Sequence, residues 1–184
     1  LWQRDKDAEI TRHLGDKTPT RYDIMEIASA IKANNINFDY ILFDDCYMSS
    51  VEVAYELRNV ADYLIGSTSE IMAEGFPYTE IGLLLMPDTR DAVSELSYTI
   101  DYAGICESFY QYYMERPIYP CGTVAVTATR ELEALAEVMK CINQESSPMG
   151  AEERKKIQML DGYEPCLFYD LGHYVSFYCK NVAL

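Results

Sequence analysis

The chain has 184 residues, 49% of them hydrophobic, which suits one domain with a sizeable buried core. Thirty acidic against 15 basic residues leave a formal net charge of -15. That balance argues against nucleic acid or an anionic membrane surface as partner; it suits cationic ligands, with a merely soluble acidic surface as the plainer reading.

Residues 1–20 are polar and lack a clear period. With Arg4, Lys6, Arg12 and Lys17 they read as an exposed segment open to trypsin-like cutting, set apart from a domain over 21–184. Tyr22, Ile24, Met25, Ile27, Ala28 and Ile31 then recur at helical spacing, and Asn34-Asn35 closes that helix. The run Phe38-Asp39-Tyr40-Ile41-Leu42-Phe43 reads as a buried strand leading through Asp44-Asp45 to Cys46. A helix over about 50–59 follows, with Val51, Val53, Ala54 and Leu57 inward. Residues 62–66 form a second buried strand, and strand–helix–strand order predicts parallel pairing. Gly75-Phe76-Pro77-Tyr78 is a turn. Helices are expected over 79–86 and, past Pro87, over a long stretch from Asp88 to Met114 that Gly104 weakens. Residues 123–127 are rich in β-formers, and helices follow near 129–143, over 151–160 and from Asp170.

This alternation predicts an α/β fold with a mostly parallel sheet. Three strands leave an exposed edge, so strands from an upstream segment or a separate chain are expected to complete the sheet. No apolar run is long enough to span a bilayer, and no signal peptide is visible. The six cysteines, at 46, 106, 121, 141, 166 and 179, form no CxxC pair, which disfavours zinc and thioredoxin chemistry. No Gly-rich phosphate loop follows any strand, so a flavodoxin-like phosphate binder is a weak reading.

Cys46 stands where a strand gives way to a helix, at the sheet edge where ligands and catalytic groups collect in open α/β folds. The positive helix end favours a thiolate there, and Asp44 and Asp45 oppose it. Alternation places Asp44 beside Cys46 and Asp45 opposite. A carboxylate two residues before a nucleophile is a poor base for it but can floor an adjacent pocket, where a cation would balance its charge. By residue type alone, Cys46 reads more readily as a small core residue and Asp44 as a sheet-edge carboxylate. Ser67, after the second strand, and Glu74, in the following loop, belong to the same edge if the strands are parallel. Their plainer readings are a loop-starting Ser and a solvated Glu.

The ordered run Phe43-Asp44-Asp45-Cys46-Tyr47-Met48, then Val51 to Leu57, Tyr63 to Ser67 and Glu74-Gly75-Phe76-Pro77-Tyr78, resembles the clostripain family of cysteine endopeptidases. The likeness is close over about 21–86 and looser beyond. Asp45 stands where the family carries a small residue, and Tyr47 where it carries Leu. The resemblance implies a caspase-like three-layer αβα fold, shared with legumains and gingipains, and cleavage after Arg or Lys. It makes Cys46 the nucleophile of a Cys–His dyad and Asp44 the grip on the substrate cation. Convergence of loops at that edge makes Ser67, through its backbone, and Glu74, through its charge, candidates to line the same pocket. Backbone N–H groups, that of Cys46 among them, would hold the oxyanion. It further implies autoproteolytic maturation from a zymogen into light and heavy chains and secretion or envelope association in a bacterium. No cofactor is needed for the chemistry, and calcium is a candidate ion.

The dyad histidine of the family ends the strand before the nucleophile's. Neither His13, among charged residues, nor His173, far downstream, has that setting. The base is therefore expected upstream of Leu1, on a light chain or upstream segment. The competing reading is a catalytically dead caspase-like module that binds basic peptides. The missing His and the second carboxylate at Asp45 favour it.

Overall fold

The computed structural model describes residues 22–86 and 100–179 and the backbone of His13–Leu14. Apart from that short strand, the expected exposed segment at 1–20 lies outside the described residues, as does the 87–99 part of the expected long helix.

Strand β1 (His13–Leu14) pairs antiparallel with β2 (Tyr22–Asp23), His13 opposite Asp23. Asp23 then caps α1 (Ile24–Ala33). Its carboxylate accepts from Met25 N–H, while Glu26 reaches back to Asp23 N–H at 2.9 Å, a reciprocal box that satisfies two orphan donors. The helix ends at Asn34 as expected, and Asn35 turns the chain in the left-handed region at φ 54°.

The main sheet runs β3 (Phe38–Leu42), β4 (Ala61–Gly66), β5 (Ala125–Ala128), with β4 central. The parallel pairing of β3 with β4 is as expected, Tyr40 opposite Tyr63 and Leu42 opposite Ile65. β5 overturns the expectation of a mostly parallel sheet: it pairs antiparallel to β4, so the sheet is mixed. The register gives the reason. Ala125 lies opposite Gly66, so the chain re-enters the sheet at the end by which β4 left it. A strand entering there must run backwards. Among the described residues β3 and β5 each pair on one side only.

Alternation along the strands feeds two separate cores. Ile41 and Leu64 pack with α1, with Val53, Ala54 and Leu57 of α2 (Val51–Leu57), and with Leu132 and Leu135 of α5 (Leu132–Glu145). Tyr40, Leu42, Ile65 and Val126 pack with Ile81 of α3 (Tyr78–Ile81) and with Ile105, Phe109 and Tyr113 of α4 (Tyr102–Met114). Leu64 and Ile65 are both fully buried, each worth about 1.5–3 kcal/mol relative to exposure.

Three helices are shorter than their periodicity predicts. α3 stops at Ile81 and continues as turns to Met86. Ile100 and Asp101 are not helical, so α4 starts at Tyr102 rather than continuing from Asp88. Asp101 caps it by accepting from Gly104 N–H at 2.8 Å. A side chain on Gly104 would meet that carboxylate, so the glycine serves the helix start rather than weakening its middle. The 3-10 turn Thr129–Glu131 leads into α5, and α6 (Ala151–Arg154) covers only the front of the expected 151–160 helix. α7 (Leu171–Cys179) begins one residue after Asp170. No described helix is long and apolar enough to cross a membrane.

Candidate active site

Past Leu42 the chain stays beside β4 through one more bond, Phe43 N–H to Ile65 O at 2.9 Å, and then turns over residues 46–49. Tyr47 N–H donates to Ser69 O at 2.9 Å and Ser49 N–H to Ser67 O at 3.0 Å. These bonds lash the turn to the loop after β4. They hold Tyr47 at φ 61°, a conformation costly for a non-glycine residue. The sheet thus delivers Cys46 to its carboxyl edge, as the sequence predicts. The helix that follows lies within the expected 50–59 span. α2 starts at Val51 behind its N-cap Ser50, whose hydroxyl accepts from Val53 N–H.

The Cys46 sulfur is half-buried and lies against the loop of residues 67–77, which leads into Tyr78 at the start of α3. Ile71 N–H donates to Sγ at 3.3 Å, and the thiol reaches Ile71 O at 3.7 Å. The Cys46 N–H is also engaged, donating to Asp45 Oδ1 at 2.9 Å. Asp44 turns its carboxylate onto the same loop, where Oδ1 accepts from Phe76 N–H and Oδ2 from Tyr78 O–H, both at 3.1 Å. The structure therefore brings Cys46 and Asp44 together on one loop. Tyr78 answers to this setting: burial first, then the hydrogen bond and charge of Asp44, push its phenol up to about 12.

Gly75 makes the approach of Asp44 possible. It is buried and sits at φ 67°, and a β-carbon on it would lie 2.8 Å from Asp44 Cγ. Its carbonyl accepts from Tyr113 O–H at 2.7 Å, which ties the loop to α4.

The other two predicted site residues have partners of their own. Ser67 is fully buried, and its hydroxyl pairs with Thr123 Oγ1 at 2.7 Å. Ser69 Oγ joins the same threonine at 2.8 Å, so the three hydroxyls form one cluster where β4 ends and the chain approaches β5. Glu74 is ion-paired with Arg116, whose bond and charge hold the Glu74 carboxyl below its ordinary range. That cation comes from the chain itself, and its guanidinium lies 5.5 Å from the Tyr113 ring centroid.

A cavity of about 400 Å³ opens beside the turn, lined among others by Tyr47, Ser69, Glu70, Tyr110, Cys121 and Thr123. Sequence reading missed this wall because Thr123 reaches the site only through the antiparallel entry of β5. It also missed the contribution of the C-terminal segment. The Tyr47 ring stacks on Phe168, centroids 4.4 Å apart and planes 13° from parallel. Asp161 builds the loop that presents Phe168, accepting from Leu167 N–H at 2.7 Å and Phe168 N–H at 3.1 Å. The one pointer in the sequence was Tyr47, an aromatic where the family it resembles carries Leu.

Neither histidine is placed on the sulfur among the described contacts. His173 Nδ1 accepts from Gln158 N–H at 3.0 Å, a structural role in the C-terminal segment. His13 is described by its backbone alone, in β1. Among the described residues no group of three or more His, Cys, Asp or Glu side chains could hold a metal ion.

Residues 1–178 match the model of Peptidase_C11, the clostripain family. The chain belongs to the clostripain family of cysteine proteases. A clostripain from Bacteroides thetaiotaomicron, solved in complex with the peptide inhibitor BTN-VLTK-AOMK, is 46% identical with a TM-score of 0.78; the match covers 89% of this chain and 68% of that one. The secreted C11 cysteine protease iotapain from the same organism is also 46% identical, TM-score 0.79, over 92% of this chain and 45% of that one. An inactive zymogen C11 protease from Parabacteroides distasonis is 35% identical, TM-score 0.65, over 84% of this chain and 41% of that one. The chain thus spans less than half the length of two of these clostripain-family structures. A search of the curated proteins found no match.

Proposed function

We propose that this chain carries the nucleophile and the cation-binding wall of an endopeptidase that cuts after Arg or Lys. The observation that carries the proposal is the placement of the Cys46 sulfur and the Asp44 carboxylate on one loop, at the carboxyl edge of a parallel strand pair. Family membership turns that geometry into a peptidase reading. The peptide letters VLTK of the relative's inhibitor end on lysine, which supports a basic residue before the cut.

In the reaction the Cys46 thiolate forms a bond to the scissile carbonyl carbon, and the C=O electron pair moves to oxygen. That oxyanion is stabilised by backbone N–H groups, Cys46 N–H among them. Collapse restores the C=O, breaks the C–N bond and expels the amine, which takes a proton from a histidine acting as general acid. Water then hydrolyses the thioester. With His173 engaged elsewhere, we assign the histidine to a light chain or upstream segment. The same segment would add strands beside β3 or β5 and complete a caspase-like three-layer fold. Maturation by self-cleavage near the basic residues of 1–20, and secretion as for iotapain, complete the reading. Asp44 is the cation grip and Ser67 backs the pocket. Glu74 joins the pocket only by exchanging Arg116 for a substrate cation.

Turnover of fluorogenic Arg and Lys peptides by the protein bearing its native upstream sequence, beside Cys46→Ala, tests this. Cleavage after the basic residue that the mutant loses supports the reading. Folded, processed protein without turnover, with or without calcium, would leave a module that binds basic peptides.

A further inference from the structure

Asp45 stands where the clostripain family carries a small residue, and its carboxylate makes a specific bond there. Its Oδ1 accepts the Cys46 N–H at 2.9 Å. On the reading of Cys46 as nucleophile, this N–H is a donor that the oxyanion requires. We infer that the Asp45 carboxylate is an internal occupant of the oxyanion site, and that each turnover must swing it off the Cys46 amide.

The chemistry sets the sign of its effect. A carboxylate oxygen and an oxyanion compete for one N–H and repel each other in the same place. Losing one oxyanion donor costs on the order of 100–1,000-fold in kcat in a serine protease. Displacing a half-buried, one-residue-away carboxylate costs less, because the rotated side chain reaches water, so we take about tenfold. The contact is made in the unliganded chain, so it lowers the rate of bond cleavage and leaves peptide binding through Asp44 untouched. Asp45 is thus a positioning residue that holds the site closed, not a catalytic one.

The test uses the protein with its native upstream sequence as wild type, Asp45→Ala and Asp45→Asn. Two probes are read on each. An arginyl peptide aldehyde forms a hemithioacetal whose oxygen sits at the oxyanion position. Iodoacetamide alkylates the thiolate and needs no oxyanion donor. In Asp45→Ala the aldehyde binds about tenfold tighter and kcat rises by a similar factor, with KM within twofold and the alkylation rate within threefold. Asp45→Asn keeps an acceptor oxygen without the charge and falls between, with about a threefold gain. If Asp45→Ala does not fold, that intermediate gain decides the matter. Unchanged aldehyde affinity in folded protein overturns the inference. So does alkylation that accelerates in step with aldehyde binding, since the carboxylate would then be acting on the thiol. Failure of the underlying reading looks different: iodoacetamide labels Cys46, yet neither wild type nor variant binds the aldehyde or turns over peptide.

Discussion

Replacing Gly75 by alanine separates the loop geometry from the rest of the fold. Alanine at φ 67° pays about 1–2 kcal/mol for the left-handed conformation. Its β-carbon would also stand 2.5 Å from Asp44 Oδ1 and nearer still to Oδ2, so the carboxylate must leave. Leaving breaks the bonds from Phe76 N–H and Tyr78 O–H. Each bond to a charged group is worth about 1.5–3 kcal/mol, but Asp44 is exposed and recovers much of this from water. The sum is a destabilisation of about 2–4 kcal/mol. With an m-value of about 2 kcal/mol/M in urea, the unfolding midpoint falls by roughly 1–2 M. KM for arginyl peptides rises at the same time, because the carboxylate no longer faces the pocket. Gly162→Ala is the control, since a β-carbon there meets nothing within 4 Å. If Gly75→Ala unfolds with the control and keeps its KM, Gly75 does not position Asp44 and the proposed cation grip loses its support.

Asp44→Asn keeps an oxygen for Phe76 N–H and removes the charge. kcat/KM for arginyl peptides should fall about 10–100-fold, with little change for a peptide with glutamine at that position. An equal loss on both would assign Asp44 a structural role. Phe168→Ala removes a 7% exposed ring from its stack on Tyr47 and should cost about 3–5 kcal/mol in urea unfolding. A cost under about 1 kcal/mol would show that the C-terminal segment does not brace the nucleophile turn. Burial is the leading cause that pushes the half-buried Tyr102 phenol up to about 12 from an ordinary 10.0. The folded state thus holds its proton more tightly than the unfolded state, and the stability it adds is full below pH 10.0. It drains away as pH rises through about 12. A urea midpoint that stays level across that window contradicts this.

The parts of the fold readable from sequence are those decided by neighbours in the chain. Asp23 with Glu26 and Asn34 with Asn35 bracket α1 through local bonds, and the Tyr63–Gly66 run is apolar enough to demand burial. The Phe38–Phe43 run forms the expected strand but is not buried, since β3 pairs on one side only among the described residues and leaves Phe38 and Asp39 exposed and Tyr40 to Phe43 half-buried. The direction of β5 was hidden, because it depends on which end of the sheet the chain re-enters after a long excursion. With it was hidden the union of Thr123 with Ser67 and Ser69. The early end of α3 was hidden too. Leu84 N–H and Leu85 N–H both bond to Ile81 O, so the apolar spacing of 79–86 is spent on turns that still face Phe76 and Phe109. Cys46 and Asp44 could be placed at one edge by strand logic. The bond between Asp45 and Cys46 N–H could not, since a single side-chain rotation decides it.

These internal bonds share a consequence. Cys46 Sγ is held by Ile71, Cys46 N–H by Asp45, Asp44 by Phe76 and Tyr78, and Glu74 by Arg116. A basic peptide entering this site therefore makes few bonds to idle groups. Each contact it gains replaces one the protein already has, so the net gain per contact is a difference, smaller than the gross strength of the bond. Affinity for the ground state stays modest. The largest imbalance arises at the one place where charge appears during reaction, on the oxygen beside Cys46 N–H. An arrangement of this kind favours substrate most at the transition state. It also separates the two carboxylates in kind: on the proposed reading, release of Asp45 acts on the rate of bond cleavage, while the Asp44 grip sets which residue enters the pocket.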